Sequence, residues 1–357
     1  MPTGILRRIA VLAAATGLCG LAAAMPAGTA AAAAASVTAP AGGQGSVPGV
    51  GSLTAIACPT AKACVAVGSN GDFDGQSAAI DATTGHAKPW SGTLADDSLN
   101  AVACPGKTTC LAVSDDAVAS VRVSTGALKQ TAKLPVPSSG IWALGAIACA
   151  GSKACYAVGF KGTEVASSAV VVKLSPAGKV VKTTKASGTG IGAIACPSSK
   201  TCLVADYAKP SEFIRPLTNG KLGAGHKLPA HTYVQRISCY GAKLCYALSG
   251  KVSGDTATTD EMIPLNPKTG QPGKAVSLRS VNGDGVDCYS STQCIVVGFT
   301  GTGSSAETVS LVVSKGKARS LTHYPIGNGS FSAVGCATAK LCYAVGESAG
   351  VAIVDKV

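Results

Sequence analysis

The sequence predicts an all-β protein, a seven-bladed β-propeller with four antiparallel strands and one disulfide in each blade. Three observations predict it. A cysteine pair of the form C-x5-C recurs seven times, successive first cysteines lie 43 to 49 residues apart, and the apolar runs between them are short with no 3.6-residue period.

The pairs are Cys58/Cys64, Cys104/Cys110, Cys149/Cys155, Cys196/Cys202, Cys239/Cys245, Cys288/Cys294 and Cys336/Cys342. A β-branched residue stands two places before each first cysteine, from Ile56 in the first repeat to Val334 in the last. A large apolar residue follows each second cysteine: Val65, Leu111, Tyr156, Leu203, Tyr246, Ile295 and Tyr343. Each pair therefore spans a hairpin, strand, five-residue loop, strand. The strands read as nearly continuous apolar runs, as expected where both faces of a sheet are covered by neighbouring blades. A third strand follows and ends at a turn glycine (Gly85, Gly126, Gly178, Gly220, Gly270 or Gly316), and a fourth strand leads to the next pair. Zinc is a poorer reading of the cysteines, because zinc pairs are usually spaced two to four residues apart and only four histidines are present. Sevenfold repetition points instead to a disulfide within each hairpin, each contributing about 2 kcal/mol by loop entropy.

Residues 1–35 read as a secretory signal peptide. Arg7 and Arg8 form a charged start, Ile9 to Met25 is apolar, and small residues around Ala27 to Ala30 offer cleavage sites. Cys19 leaves with this leader, so fourteen cysteines remain. No later run of 18 apolar residues predicts a membrane span. Lys plus Arg number 30 and Asp plus Glu 18; Arg7 and Arg8 lie in the leader, which leaves +10 of the +12 net charge and suits anionic surroundings. The seventh repeat reaches Val357 before a fourth strand. A segment within Ser36 to Pro48, most strand-like over Ser36 to Ala39, is expected to pair with Val351 to Asp355 and close the ring.

The repeat Ile56-Ala-Cys-Pro-Thr-Ala-Lys-Ala-Cys-Val-Ala-Val-Gly68 resembles the disulfide-stapled propeller repeats of exported bacterial proteins, loosely akin to sialidase-like and photosystem-assembly-factor-like propellers. The resemblance spans Leu53 to Val357 and implies fold and export. No repeat carries the S-x-D-x-G-x-T-W box of sialidases, and the only tryptophans are Trp90 and Trp142.

Three groups of residues are candidate sites. Asn70, Asp72 and Asp74 around Gly75, with Asp81 eleven residues after Asn70, approximate a calcium loop. Six of the seven cysteine loops carry a lysine (Lys62, Lys107, Lys153, Lys200, Lys243 and Lys340), a ring that suits an anionic polymer. The loops after the second strands carry Asp115, Asp116, Lys161, Asp206, Tyr207, Lys251 and Glu347, and should rim the funnel on the other face. His86, His226, His231 and His323 fall at unrelated repeat positions, and no nucleophile elbow or H-E-x-x-H motif is present. Nucleic acid fits poorly, since no aromatics interleave with the lysines.

These features predict a secreted or cell-surface monomer. It should act as a non-catalytic binding or scaffold module for an anionic envelope polymer or a protein partner. The alternative is a secreted glycan-active hydrolase or lyase using funnel carboxylates. A third reading is a purely structural envelope component.

Overall fold

The computed structural model describes residues 45–47, 49–90, 92–135, 140–163, 167–208, 211–253, 256–302, 305–327 and 329–357. The predicted leader and Ser36 to Ala39 lie outside the described residues.

Seven antiparallel sheets follow one another along the chain. Blade 1 runs Ser52–Thr60, Ala63–Ser69, Gly75–Asp81 and Thr93–Leu94; blade 2 runs Ala101–Ala103, Thr109–Val113, Ala117–Arg122 and Leu128–Lys133. Blade 3 comprises Ile141–Ala150, Ala154–Gly162, Ser167–Leu174 and Val180–Lys185. In blade 4, Gly190–Ala195, Thr201–Ala208, Ser211–Thr218 and Lys221–Leu222 are joined by His226–Lys227. Blade 5 is Thr232–Tyr240, Leu244–Ser253, Thr256–Leu265 and Val276–Ser277; blade 6 is Asn282–Cys288, Gln293–Thr300, Glu307–Ser314 and Lys317–Tyr324. Blade 7 takes Ser330–Thr338, Leu341–Ser348 and Val351–Lys356 from one end of the chain and Gly45–Val47 from the other. The closing strand pairs Gly45 with Val354 and Val47 with Ala352. It lies inside the stretch expected from the sequence, but uses the glycine-containing part. Gly45 costs little there, because Val47 and the following Val50 are buried and fix the segment.

The apolar core is divided into seven clusters, one at each junction between adjacent blades. All seven disulfides form within their own hairpins: Cys58–Cys64, Cys104–Cys110, Cys149–Cys155, Cys196–Cys202, Cys239–Cys245, Cys288–Cys294 and Cys336–Cys342. The two Cα atoms of each lie 3.8–4.1 Å apart. The two halves of each pair differ in burial. The second cysteines, Cys64, Cys110, Cys155, Cys202, Cys245, Cys294 and Cys342, are all buried, at most 4% exposed. They start the second strand of each blade, whose faces are covered by the neighbouring blades, so they serve as staples and not as ligand-facing groups. The first cysteines start the loop beside the axis, and all but Cys288 keep some exposure.

The large residue after the second cysteine reaches the next blade. Tyr343 donates its hydroxyl to the Ala82 carbonyl (3.0 Å) and so seals blade 7 to blade 1. The six turn glycines all have positive φ, from 70° at Gly316 to 80° at Gly220, a region in which a Cβ is unfavourable.

A β-bulge marks the first strand of six blades, at Thr54, Gly145, Gly192, Gln235, Asp284 and Ser332. Opposite it, a Cβ on Gly68, Gly159, Gly298 or Gly346 would lie 1.9–2.0 Å from a first-strand carbonyl oxygen. This contact explains the glycine four places after the second cysteine in those blades. Blades 2, 4 and 5 place Ser114, Asp206 and Ser249 there instead.

Candidate functional site

Antiparallel topology puts the cysteine hairpins and the third-to-fourth turns on one rim, and the second-to-third loops on the other. Ala82 N–H donates to Lys62 O and Asn219 N–H to Lys200 O, both at 2.9 Å, which ties each outer turn to its cysteine loop.

On the disulfide rim all six predicted ring lysines are exposed, and none forms an ion pair among the described residues. The seven cysteine loops contain no Asp or Glu. Arg122, Lys179, Lys221, Lys268 and Lys315 add an outer circle of exposed cations on the adjoining turns. The exposed carboxylate on this rim is Asp81, held below its usual pKa chiefly by the Thr83 hydroxyl and also by the Thr83 N–H.

Within the ring lies an axial cavity of about 670 Å³ to which all seven blades contribute. All seven first cysteines line it, and none of the second cysteines does. Every blade lines it with the first cysteine and the two residues before it; blades 1, 5 and 6 add the residue after, and blade 7 the three residues after. One place before, the residues are Ala57, Ala103, Ala148, Ala195, Ser238, Asp287 and Gly335. One place after, Pro59, Pro105, Ala150, Pro197 and Ala337 give way in blades 5 and 6 to Tyr240 and Tyr289. Asp287 accepts hydrogen bonds from Ser238 Oγ (3.2 Å) in blade 5 and from Cys336 N–H (2.8 Å) in blade 7. Burial raises its pKa and these bonds oppose the shift. Three places before the first cysteine, the five other blades carry Ala55, Ala101, Ala146, Ala193 and Ala333, whereas blades 5 and 6 carry Arg236 and Gly285. Burial lowers the Arg236 pKa, with the neighbouring Asp284 acting the other way. Asp284 is itself pushed up to about 6 by burial, against a hydrogen bond from Gln235 and the Arg236 charge.

On the opposite rim most of the charged residues expected at the funnel have local partners. Asp115 accepts from Asn100 Nδ2 (2.9 Å), whose other partner is the Leu144 carbonyl of blade 3. Asp116 and Asp97 share Lys133 at 3.8 and 3.7 Å, and Asp97 is raised by burial and then by Asp116. Lys161 lies 4.8 Å over the Trp142 ring. Asp206 is fully buried and bound to Arg215 Nε at 2.6 Å, while Arg215 Nη2 also donates to Ser187 Oγ. Lys251 lies 3.9 Å from Glu261, and Tyr207 and Glu347 are exposed. Glu212, which the sequence reading missed, is buried. Its pKa is pushed up to about 8 by burial, and its carboxyl accepts the Val234 N–H of blade 5.

The calcium set is also corrected. Asp81 closes the seven-residue strand that begins at Gly75, so it lies about 20 Å from Asp74, on the other rim. Asn70 Oδ1 is occupied by the N–H groups of Asp72 (3.0 Å) and Asp74 (2.8 Å), an Asx turn. No group of three or more metal-ligating side chains occurs among the described residues.

Tyr240, Tyr289, Arg236, Asp284 and Asp287 were also missed. All but Asp284 depart from what most blades carry at a fixed offset from the first cysteine, a signal available from the aligned repeats; the offset of Asp284 has no common residue.

No family profile and no curated protein sequence matches this chain. Solved structures do. It is similar to the Neurospora crassa Pan2 WD40 domain (TM-score 0.62, 11% identity, 85% of this chain and 88% of that one). Kuenenia stuttgartiensis hydrazine synthase superposes with TM-score 0.63 at 13% identity over 87% and 96% of the two chains. The WD40 β-propeller domain of Doa1 does so with TM-score 0.55 at 11% identity over 85% and 92%. At these identities the likeness defines a class by fold alone, the seven-bladed β-propellers. The seven disulfides favour an oxidising, extracytoplasmic setting. No helix among the described residues is long and apolar enough to cross a membrane.

Proposed function

We propose that this propeller is an exported, non-catalytic binding module whose disulfide rim docks on an anionic polymer of the cell envelope. The observation that carries the reading is the acid-free set of cysteine loops, six of which carry an exposed lysine with no ion pair among the described residues, four places after the first cysteine in five blades and three places after it, at Lys107, in blade 2. Cations on rigid, stapled loops keep their spacing when a ligand binds, so little ordering entropy opposes association. Contact of this kind is long-ranged and salt-sensitive.

The hydrolase or lyase alternative needs two free carboxyls at suitable separation. The Asp97 and Asp116 pair is bridged by Lys133, which argues against it.

The test is binding of purified protein to immobilised polyanions, poly-glutamate among them, at about 0.05 M and about 0.5 M salt. Retention at low salt, loss at high salt, and loss in a variant with all six lysines changed to Gln support the reading. Equal retention of that variant overturns it.

A further inference from the structure

In a sevenfold repeat the fold makes the same demand on every blade. A residue class that most blades share at one offset is what folding requires, and a departure confined to one side of the axis needs another explanation. Around the axial cavity the departures cluster. In blades 5 and 6 alone, the residue one place after the first cysteine is a tyrosine, and the residue one place before it is a hydroxyl or a carboxyl side chain. At these two offsets the other five blades carry only alanine, glycine and proline, and the rest of their wall is β-branched residues and cysteine, apart from Thr338 and Ala339 in blade 7.

We infer that the blade 5 and 6 wall is a sugar-binding subsite, which takes one hydroxyl-rich ring of an acidic polysaccharide whose charges rest on the lysine ring. This deepens the polyanion reading and rests on it. Three features favour a sugar ring over a peptide or a bare polyphosphate. A cavity of about 670 Å³ falls in the range of small-ligand sites and admits a bulky neutral unit. Tyr240, 41% exposed at the mouth, offers an aromatic surface with a polar tip. Asp287 is an acceptor-only group set inside a cationic ring. The Ser238 hydroxyl and the Cys336 N–H each bond one of its oxygens and the Cys288 N–H also acts on it, which fixes its orientation; a carboxylate has about four lone-pair sites, so acceptor capacity is left for a ligand hydroxyl. A carboxylate at that depth repels the anionic groups of a polymer and leaves them at the rim, so the neutral hydroxyl-bearing edge is the part that enters.

Titration calorimetry with tetragalacturonate, an acidic sugar chain, and with poly-glutamate, a polyanion without sugar, tests this. Tyr240→Ala is expected to weaken tetragalacturonate about 10-fold more than poly-glutamate, the size of one lost aromatic contact. Asp287→Asn, which retains shape but loses acceptor capacity, should act in the same direction. Changing the six lysines to Gln should weaken both ligands. Asp287 also links three blades, so its variant is read only with an unchanged melting temperature. The exposed Tyr240 carries the test if that variant is unstable. The subsite is overturned if Tyr240→Ala weakens both ligands equally or neither, or if poly-glutamate binds and tetragalacturonate does not. Failure of poly-glutamate itself to bind would instead remove the polyanion reading on which the subsite rests, and the subsite with it.

Discussion

The two rims of the disc are made by the same number of hairpins and use charge in opposite ways. On the disulfide rim the cysteine loops have one length, and six of the seven carry a lysine three or four places after the first cysteine that forms no ion pair among the described residues. On the other rim the loops vary in length and the charges are taken up locally, as in Asp206 with Arg215, Asp116 with Lys133, and Glu212 on the Val234 N–H. A buried charge must be paired or neutralised, whereas an exposed one on a rigid loop costs almost nothing and stays available to a partner. The charges of the opposite rim are therefore largely spent within blades and, at Glu212, between blades 4 and 5, while those of the disulfide rim stay open to a partner.

Disrupting a pair on the opposite rim should have the greatest consequence. Arg215→Ala strands the fully buried Asp206 and should cost about 3–5 kcal/mol. Adding Asp206→Asn should recover part of the loss. Urea unfolding of the single and double variants measures both, and no loss in the single variant would contradict the structural role given to this rim.

The pH dependence of the same rim comes next. The Glu212 pKa is raised from 4.5 to about 8 in the folded protein, so the folded state holds its proton more tightly than the unfolded chain. Stability from this group is complete below about pH 4.5, falls as pH rises through the window to 8, and is then lost. Glu212→Gln should flatten that part of the melting-temperature profile and leave the variant more stable than the wild type above pH 8, by a few kcal/mol at most. Parallel profiles would count against it.

A single stapled loop should matter less. Replacing Cys149 and Cys155 together by alanine is expected to lower stability by about 2 kcal/mol while the blade persists, as read by thermal unfolding with circular dichroism. Collapse of the whole fold would mean that the hairpins depend on their staples far more than the interblade cores suggest.

Least of all should depend on one ring lysine. Lys153→Gln on the disulfide rim should shift stability by no more than about 0.5 kcal/mol, yet it should reduce the salt-dependent polyanion binding measured in parallel. A large loss of stability would show that the ring lysines are structural after all.

The repeat, the disulfide pairing, the turn glycines at positive φ and the ring of lysines were all legible in the order of residues. Each is a local pattern, contained in one hairpin and reinforced by repetition. The shared offset of Tyr156, Tyr246 and Tyr343 was equally visible, although their reach into the next blade was not. So was the C-x5-C spacing, although not that Cys58 would face the axis while Cys64 is sealed between blades. Which charges meet is a property of the assembled ring. Asn100 finds Leu144, Ser238 finds Asp287, and Glu212 finds Val234 across blade boundaries some 20 to 50 residues apart. The ring also puts Asp81 and Asp74 at opposite ends of one strand, where sequence spacing had placed them in one loop. A strand separates neighbours in sequence by about 3.3 Å per residue, while ring closure brings distant residues into one seam. Hydrogen bonds and ion pairs act over a few ångströms of space, so a pattern in sequence order can locate a hairpin but not the partner that a side chain will meet.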